Sequence, residues 1–369
     1  MRIPIIATSI LKFGELWEKG IADLIREAGR EALDNAGLKP SEVDSVYLSN
    51  VFASKIDNQS QLSSIVFEEL GISNAVCINA GDASGAAAIK EAANSIISGE
   101  SGTAMVLGVE KVTDFMASEI ISLSSEFIAK QEAFAGASVQ SQFAIITRKY
   151  LNEFKLDYKK LAFIPATNHK NAVKNEHAQY RYELSEEKIN SSPMMSEPIR
   201  MLDCASYCDG AAALIMCNGE ASKGFRNKVK GNLLASSLAA DALALSERKS
   251  VIAFESTRKA ADKAFKTAGI GRNEIDIMEV HDIVPISEVI AIEDLGFAKK
   301  GNGLKFIKDN IEKINCSGGL KACGHAIGAT GVRQAIDVVN KLNGNKLKYG
   351  LAHSLGGTGG LAAVNIFSR

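Results

Sequence analysis

The sequence predicts an α/β protein made of two similar halves, on three observations. The segments IREAGREALDNAGLKPSEVDSVYLSN (residues 25–50) and RKAADKAFKTAGIGRNEIDIMEVHD (258–282) match at a constant offset of 232, placing Ala32, Ala36, Gly37, Leu38, Glu42, Val43 and Asp44 on Ala264, Ala268, Gly269, Ile270, Glu274, Ile275 and Asp276. A second pair follows in the same order. SGAAAIKEAANSIISGESGTAMVLG (84–108) aligns with TGVRQAIDVVNKLNGNKLKYGLAHSLG (330–356), setting Ser84-Gly85 on Thr330-Gly331 and Asn94 on Asn340. The third observation is that each copy alternates amphipathic helix, glycine stop, turn and apolar strand, the pattern of an α/β domain.

Length and composition allow this and exclude other classes. At ~100–200 residues per domain, 369 residues suffice for two large cores. Lys plus Arg number 42 and Asp plus Glu 43, a net charge of −1 that gives no electrostatic footprint for nucleic acid or an anionic membrane. The longest apolar runs, residues 209–217 and 283–293, fall short of the ~20 residues of a membrane-spanning helix. Ile3–Ile6 reads as a first strand, not a signal peptide, because no small-residue cleavage site follows. Cys77, Cys204, Cys208, Cys217, Cys316 and Cys323 lie scattered in apolar or Gly-rich contexts, so free thiols and a cytoplasmic location are expected. The expected organisation is an N-terminal half over 1–220 and a C-terminal half over 221–369. The extra length of the first half, about 113–200, is expected to form helices and a loop excursion over the active-site face.

Four strand-to-turn junctions carry candidate chemistry. In CINAGDASGAAAI (77–89) an apolar strand runs through a small-residue turn into an Ala-rich helix, whose N-terminus suits a thiolate or an oxyanion. The occupant is Asp82, and local sequence favours a plain N-cap role for it. His281 and Asp282 end the strand of the second repeat, where a histidine can polarise a carbonyl or relay a proton. A turn histidine without chemistry fits that dipeptide equally well. In NCSGGLKACGHAIGATG (315–331) five glycines let the backbone approach a ligand, and His325 reads as a general base with little side-chain packing around it. HSLGGTGG (353–360) offers N–H donors for an oxyanion and lacks the Lys-Ser/Thr of a P-loop. Cys204-x3-Cys208 and Cys316-x6-Cys323 lack the close paired spacing of zinc sites, so no metal is expected.

Taken together and in order, these loops resemble the thiolase superfamily, most closely its archaeal and sterol-carrier-protein-type branch. GDASGAAAIKEAANSIISG with AMVLGVEKVTD resembles the nucleophile segment, NHKNAVKN the NH.na..NP segment, and CDGAAALIM the sDGAAA strand. EVHD resembles the HDAF or HDCF motif, and INCSGGLKACGHAIGATG resembles N.sGG…GHPiGATG. The resemblance covers nearly the whole chain. It implies two βαβαβαββ halves stacked as five αβαβα layers, with a loop domain inserted in the first half.

The resemblance also implies roles. In the family a cysteine attacks a thioester or 3-ketoacyl-CoA to give an acyl-enzyme, a histidine activates it, and a second cysteine shuttles a proton. Carried over, His325 is the activating base and His281 helps form a first oxyanion hole. Backbone N–H groups of Asp82 and Gly356 form a second, and Ser317, Gly318 and Gly324 bind substrate. A CoA thioester is the substrate, with no further cofactor. A homodimer or tetramer is expected, and a small zinc-containing OB-fold acyl-CoA-binding protein is a further possible partner.

The departures from the family pattern bear directly on activity. The nucleophile position holds Asp82, the cysteine position of HDCF holds Ile283, that of the CxGG loop holds Ser354, and Ala326 replaces the usual proline. A carboxylate is a poor nucleophile toward a thioester. The first expectation is a thiolase-like binder of CoA thioesters with weak or absent condensing activity of its own, whether in acetyl-CoA/acetoacetyl-CoA condensation or in thiolysis. The alternatives are a non-catalytic subunit of an active thiolase complex, and an acyl-CoA decarboxylase or hydrolase in which Asp82 mimics the charge of a thiolate.

Overall fold

The computed structural model describes residues 2–225 and 228–369. Among the described residues there are eleven strands: β1 (Ile3–Ile10), β2 (Ser45–Ser49), β3 (Ala75–Ile78), β4 (Thr103–Glu110), β5 (Met194–Ser196), β6 (Ile199–Arg200), β7 (Gly210–Cys217), β8 (Gly231–Ala240), β9 (Ile277–Glu279), β10 (Tyr349–Gly356) and β11 (Leu361–Ser368). Nine of them run in the order β3-β2-β4-β7-β1-β8-β11-β10-β9, and β5 and β6 form a separate hairpin.

The duplication is visible as one topology used twice. In the first half β3, β2 and β4 are parallel, and β7 and β1 follow antiparallel. In the second half β9 and β10 are parallel, and β11 and β8 follow antiparallel. The counterpart of β3 shrinks to a single parallel bridge between Met278 and Ile314. The halves join edge to edge where β1 pairs β8, Ile3 opposite Leu233 and Ile5 opposite Gly231.

The helices follow from the residue pattern. The Ile21–Ala36 helix buries Leu24, Ile25, Ala28, Ala32, Leu33 and Ala36 along one face and ends at Gly37, whose φ of 66° is the left-handed stop that glycine supplies without strain. It packs on β1, β4 and β7 from outside, as the matching Glu255–Ala268 helix does on β8 and β11. The Ser84–Ser98 and Ile327–Gly344 helices are buried around most of their circumference, because each lies between the two sheet halves. The order of layers is therefore helix, sheet, paired central helices, sheet, helix, as expected. The central pair is the repeat pair of the sequence, and the glycines explain how close they come. A Cβ on Gly331 would lie 2.5 Å from the Ala86 nitrogen, and one on Gly85 would lie 2.8 Å from the Val332 nitrogen. These glycines are required by a backbone-to-backbone helix crossing, not by a ligand. Gly328 is required by the packing of the same helix on β4, where an added Cβ would meet the Val109 carbonyl at 2.6 Å.

Residues 113–200 form the Ala117–Leu123, Lys130–Phe134, Val139–Phe154, Phe163–Ala172 and Glu186–Asn190 helices together with strands β5 and β6. Among the described residues no helix is long and apolar enough to cross a membrane. All six cysteines are free.

Candidate active site

Asp82, His281, His325 and Gly357 come from four separate loops that converge where β3, β9 and β10 end. Ligand sites in α/β sheets form at these carboxyl ends of parallel strands. Asp82 lies in the turn between β3 and the Ser84–Ser98 helix, and it does not cap that helix. The N-cap is Ala83, without a side-chain hydrogen bond, and the Ser84 hydroxyl accepts from the Ala80 N–H instead. The N-cap reading of Asp82 is thus corrected. The Asp82 side chain turns inward. Its Oδ1 stands 3.0 Å from His325 Nε2, and its Oδ2 accepts a hydrogen bond from the Gly357 N–H at 2.8 Å.

His325 is held from three sides. Its Nδ1 lies 2.8 Å from the Thr330 hydroxyl, which itself donates to the Ala326 carbonyl. That hydroxyl therefore accepts from Nδ1–H, and Nε2 faces Asp82. The backbone of His325 pairs with residues 206–208: its N–H donates to the Ser206 carbonyl and its carbonyl accepts from the Cys208 N–H. The Tyr207 ring covers its imidazole, with centroids 5.6 Å apart and planes inclined at 30°. The expectation of sparse packing around His325 is overturned, since the residue is fully buried.

His281 is perpendicular to His325, with ring centroids 5.4 Å apart, and neither of its ring nitrogens has a hydrogen-bond partner. Burial holds it well below the usual histidine range, and the nearby His325, His353 and Arg333 add to the effect. It is a neutral imidazole at neutral pH. Asp282 does not partner it. That carboxylate accepts from the Leu320 and Lys321 N–H groups and from Asn168, clamping the 315–324 loop to the end of β9.

The remaining expected residues lie beneath the site. Ser317 donates to Glu279 and accepts from Arg333, within a buried network. A Cβ on Gly318 would meet Ala172 at 2.6 Å, and one on Gly324 would meet the Cys208 sulfur at 2.6 Å. These three residues shape and anchor the loop that carries His325. Gly356 belongs to β10, opposite Leu361, and it is the next glycine, Gly357, whose N–H reaches position 82. Ser354 donates to Gln334, and Ile283 is buried beside Val284 and Tyr207.

A cavity of about 460 Å³ opens on the far side of Tyr207, lined by Trp17, Phe115, Ile120, Ile121, Met195 and Met201. Tyr207 thus separates the cavity from His325. Sequence reasoning passed over Tyr207, Thr330 and Gly357. For Gly357 a signal existed, because it adjoins Gly356 in the same glycine loop.

Two family models match, "Thiolase, N-terminal domain" over residues 3–220 and "Thiolase C-terminal domain-like" over 237–369. This chain belongs to the thiolase family. The thiolase chain is 36% identical over 352 residues to acetyl-CoA acetyltransferase of Methanocaldococcus jannaschii, covering 91% of this chain and 88% of the relative. It is 26% identical over 345 residues to benzoylsuccinyl-CoA thiolase subunit BbsB of Thauera aromatica, covering 90% and 87% of the two chains. Among solved structures, the Ltp2-ChsH2(DUF35) aldolase superposes with a TM-score of 0.81 at 18% identity, covering 99% of this chain and 97% of that one.

Burial pushes Cys217 up to about 11, Cys204, Cys316 and Cys323 up to about 12, and Cys208 well above the usual thiol range. A reactive thiolate needs the opposite environment.

Proposed function

We propose that this thiolase-family chain binds a CoA thioester and does not carry out acyl transfer through an acyl-enzyme at position 82. One observation carries the reading: the Asp82 carboxylate occupies the point where His325 Nε2 and the Gly357 N–H converge. These groups suit a thiolate and a developing oxyanion. Here they already hold a carboxylate, which is a weak nucleophile and gives only a labile mixed anhydride with a thioester. Neutral His281, with both ring nitrogens free of partners, is placed to donate to a thioester oxygen. The cavity beyond Tyr207 has the size and apolar lining of a small-molecule site.

The test combines binding and mass. Titration calorimetry with acetyl-CoA is expected to show binding, and intact-protein mass spectrometry after incubation is expected to show no covalent acetyl adduct. An acetylated cysteine would overturn the reading. Consumption of acetoacetyl-CoA or malonyl-CoA without free CoA would move it to decarboxylation or hydrolysis.

A second reading is a subunit role, favoured by two relatives: one named as a thiolase subunit, the other solved with a DUF35 protein. In it the chain pairs with an active thiolase or with a small zinc-containing OB-fold partner. Purification of the chain from its native source as a lone homo-oligomer would count against it. The exposed β3, with Val76 and Cys77 turned to solvent at the sheet edge, supports self-association into a dimer or tetramer.

A further inference from the structure

We propose that Asp82, His281 and His325 form a binding site for one divalent transition-metal ion. The replacement of a thiol by a carboxylate has placed two imidazoles and one carboxylate oxygen within 4.8 Å of one another, all three groups buried. Two histidines and a carboxylate on one face of an ion, with the opposite positions open, are the donor set of zinc and non-haem iron centres.

Three independent features fit an ion. His281 is completely buried and neither ring nitrogen has a partner, an expensive condition for a histidine unless something else is bound there. Thr330 engages His325 Nδ1 and turns Nε2 toward Asp82 Oδ1, and the two atoms stand 3.0 Å apart. Donors bound at ~2.0–2.2 Å to one ion stand about 3 Å apart, and that spacing is met by this pair. The outer contacts are also those of a metal site. Thr330 fixes the His325 ring through its other nitrogen, and the Gly357 N–H engages Oδ2 and leaves Oδ1 for the ion. Drawing the widest-spaced donors to bonding distance asks for ~1 Å of side-chain movement.

An ion held there keeps coordination positions that these three residues do not fill. There it would accept and polarise a carbonyl oxygen, the Lewis-acid role that replaces a lost nucleophile with charge stabilisation. Only the identity of that oxygen, a CoA thioester's, rests on the function proposed above. The ion site itself does not.

Cobalt(II) is the probe, because its visible d–d absorption reports bound geometry. The untagged chain, dialysed against chelator and then metal-free buffer, is titrated with Co²⁺ and followed by absorption and equilibrium dialysis. One Co²⁺ per chain is expected, displaced by Zn²⁺. Asp82→Ala and His281→Ala should each weaken binding at least ~10–100-fold, and His353→Gln, a buried histidine outside the set, should leave it unchanged. Circular dichroism verifies the fold of each variant, and Asp82→Asn substitutes if Asp82→Ala does not fold. Absence of stoichiometric Co²⁺ in the wild-type chain overturns the proposal, as does equal affinity in folded Asp82 and His281 variants. Acetyl-CoA binding measured without Co²⁺ reports on the functional reading separately.

Discussion

Asp82 and His325 lie 243 positions apart in the chain, and their side chains meet at 3.0 Å with both residues buried. Each comes from the loop before one of the two central helices, so this contact links the halves at their line of symmetry. It depends on both loops being held, one by the Ser84 turn and the other by the Thr330 hydroxyl and residues 206–208.

Removal of the Asp82 carboxylate should therefore cost stability. In Asp82→Ala the Gly357 N–H and the His325 ring lose their buried partner, and a loss of about 3 kcal/mol is expected from breaking such a pair. Asp82→Asn, which keeps an acceptor of the same shape, should lose less than half as much. Urea denaturation followed by circular dichroism measures both, and equal stability of Asp82→Ala and wild type would contradict the contact.

The crossing of the central helices makes a second prediction. Gly331→Ala would force a methyl to 2.5 Å from the Ala86 nitrogen, a backbone atom that cannot move without its helix. A loss of about 2–3 kcal/mol or failure to fold is expected. In the same helix Gly344→Ala meets nothing within 4 Å, and it should be neutral or stabilising by up to about 1 kcal/mol. Thermal unfolding of the two variants side by side separates crowding from helix propensity.

His353 provides a pH-dependent test. Burial pushes it down to about 3 from an ordinary value near 6.5, and its Nε2 pairs with the Thr257 hydroxyl. Below pH 6.5 the unfolded chain takes up a proton there that the folded chain refuses, so this group's contribution to stability falls as pH falls. His353→Gln removes that proton uptake. The stability of wild type relative to the variant should therefore decline by up to ~1.4 kcal/mol per pH unit between pH 6.5 and 4. A difference independent of pH would show that His353 titrates normally in the folded state.

The duplication is legible in the sequence because both halves need small residues at the same helix crossings and glycine at the same helix stops. Ser84-Gly85 and Thr330-Gly331 stand out by alignment alone, yet only the fold shows that the two pairs touch each other. Glycines that read as room for a ligand are mostly required by that contact and by the packing of Gly318 and Gly324. His281, His325 and Asp82 are legible as positions at strand ends. Their mutual geometry is not, because it is set by residues hundreds of positions apart. Tyr207 gives no local signal: its stacking on His325 depends on a backbone pairing between two loops with no shared pattern. The 113–200 segment mixes apolar and charged residues without a sustained period, so its five helices were not separable by pattern.

The most direct measurement is CoA-dependent thiolysis of acetoacetyl-CoA by the wild-type chain and by Asp82→Cys, assayed together. The expected result is no thiolysis in the wild type and measurable, slow thiolysis in Asp82→Cys, slow because Ile283 offers no thiol at the position that the resemblance matches to a second cysteine. Robust CoA-dependent thiolysis by the wild-type chain would contradict the account, since it would mean that acyl transfer proceeds with Asp82 in the nucleophile's place.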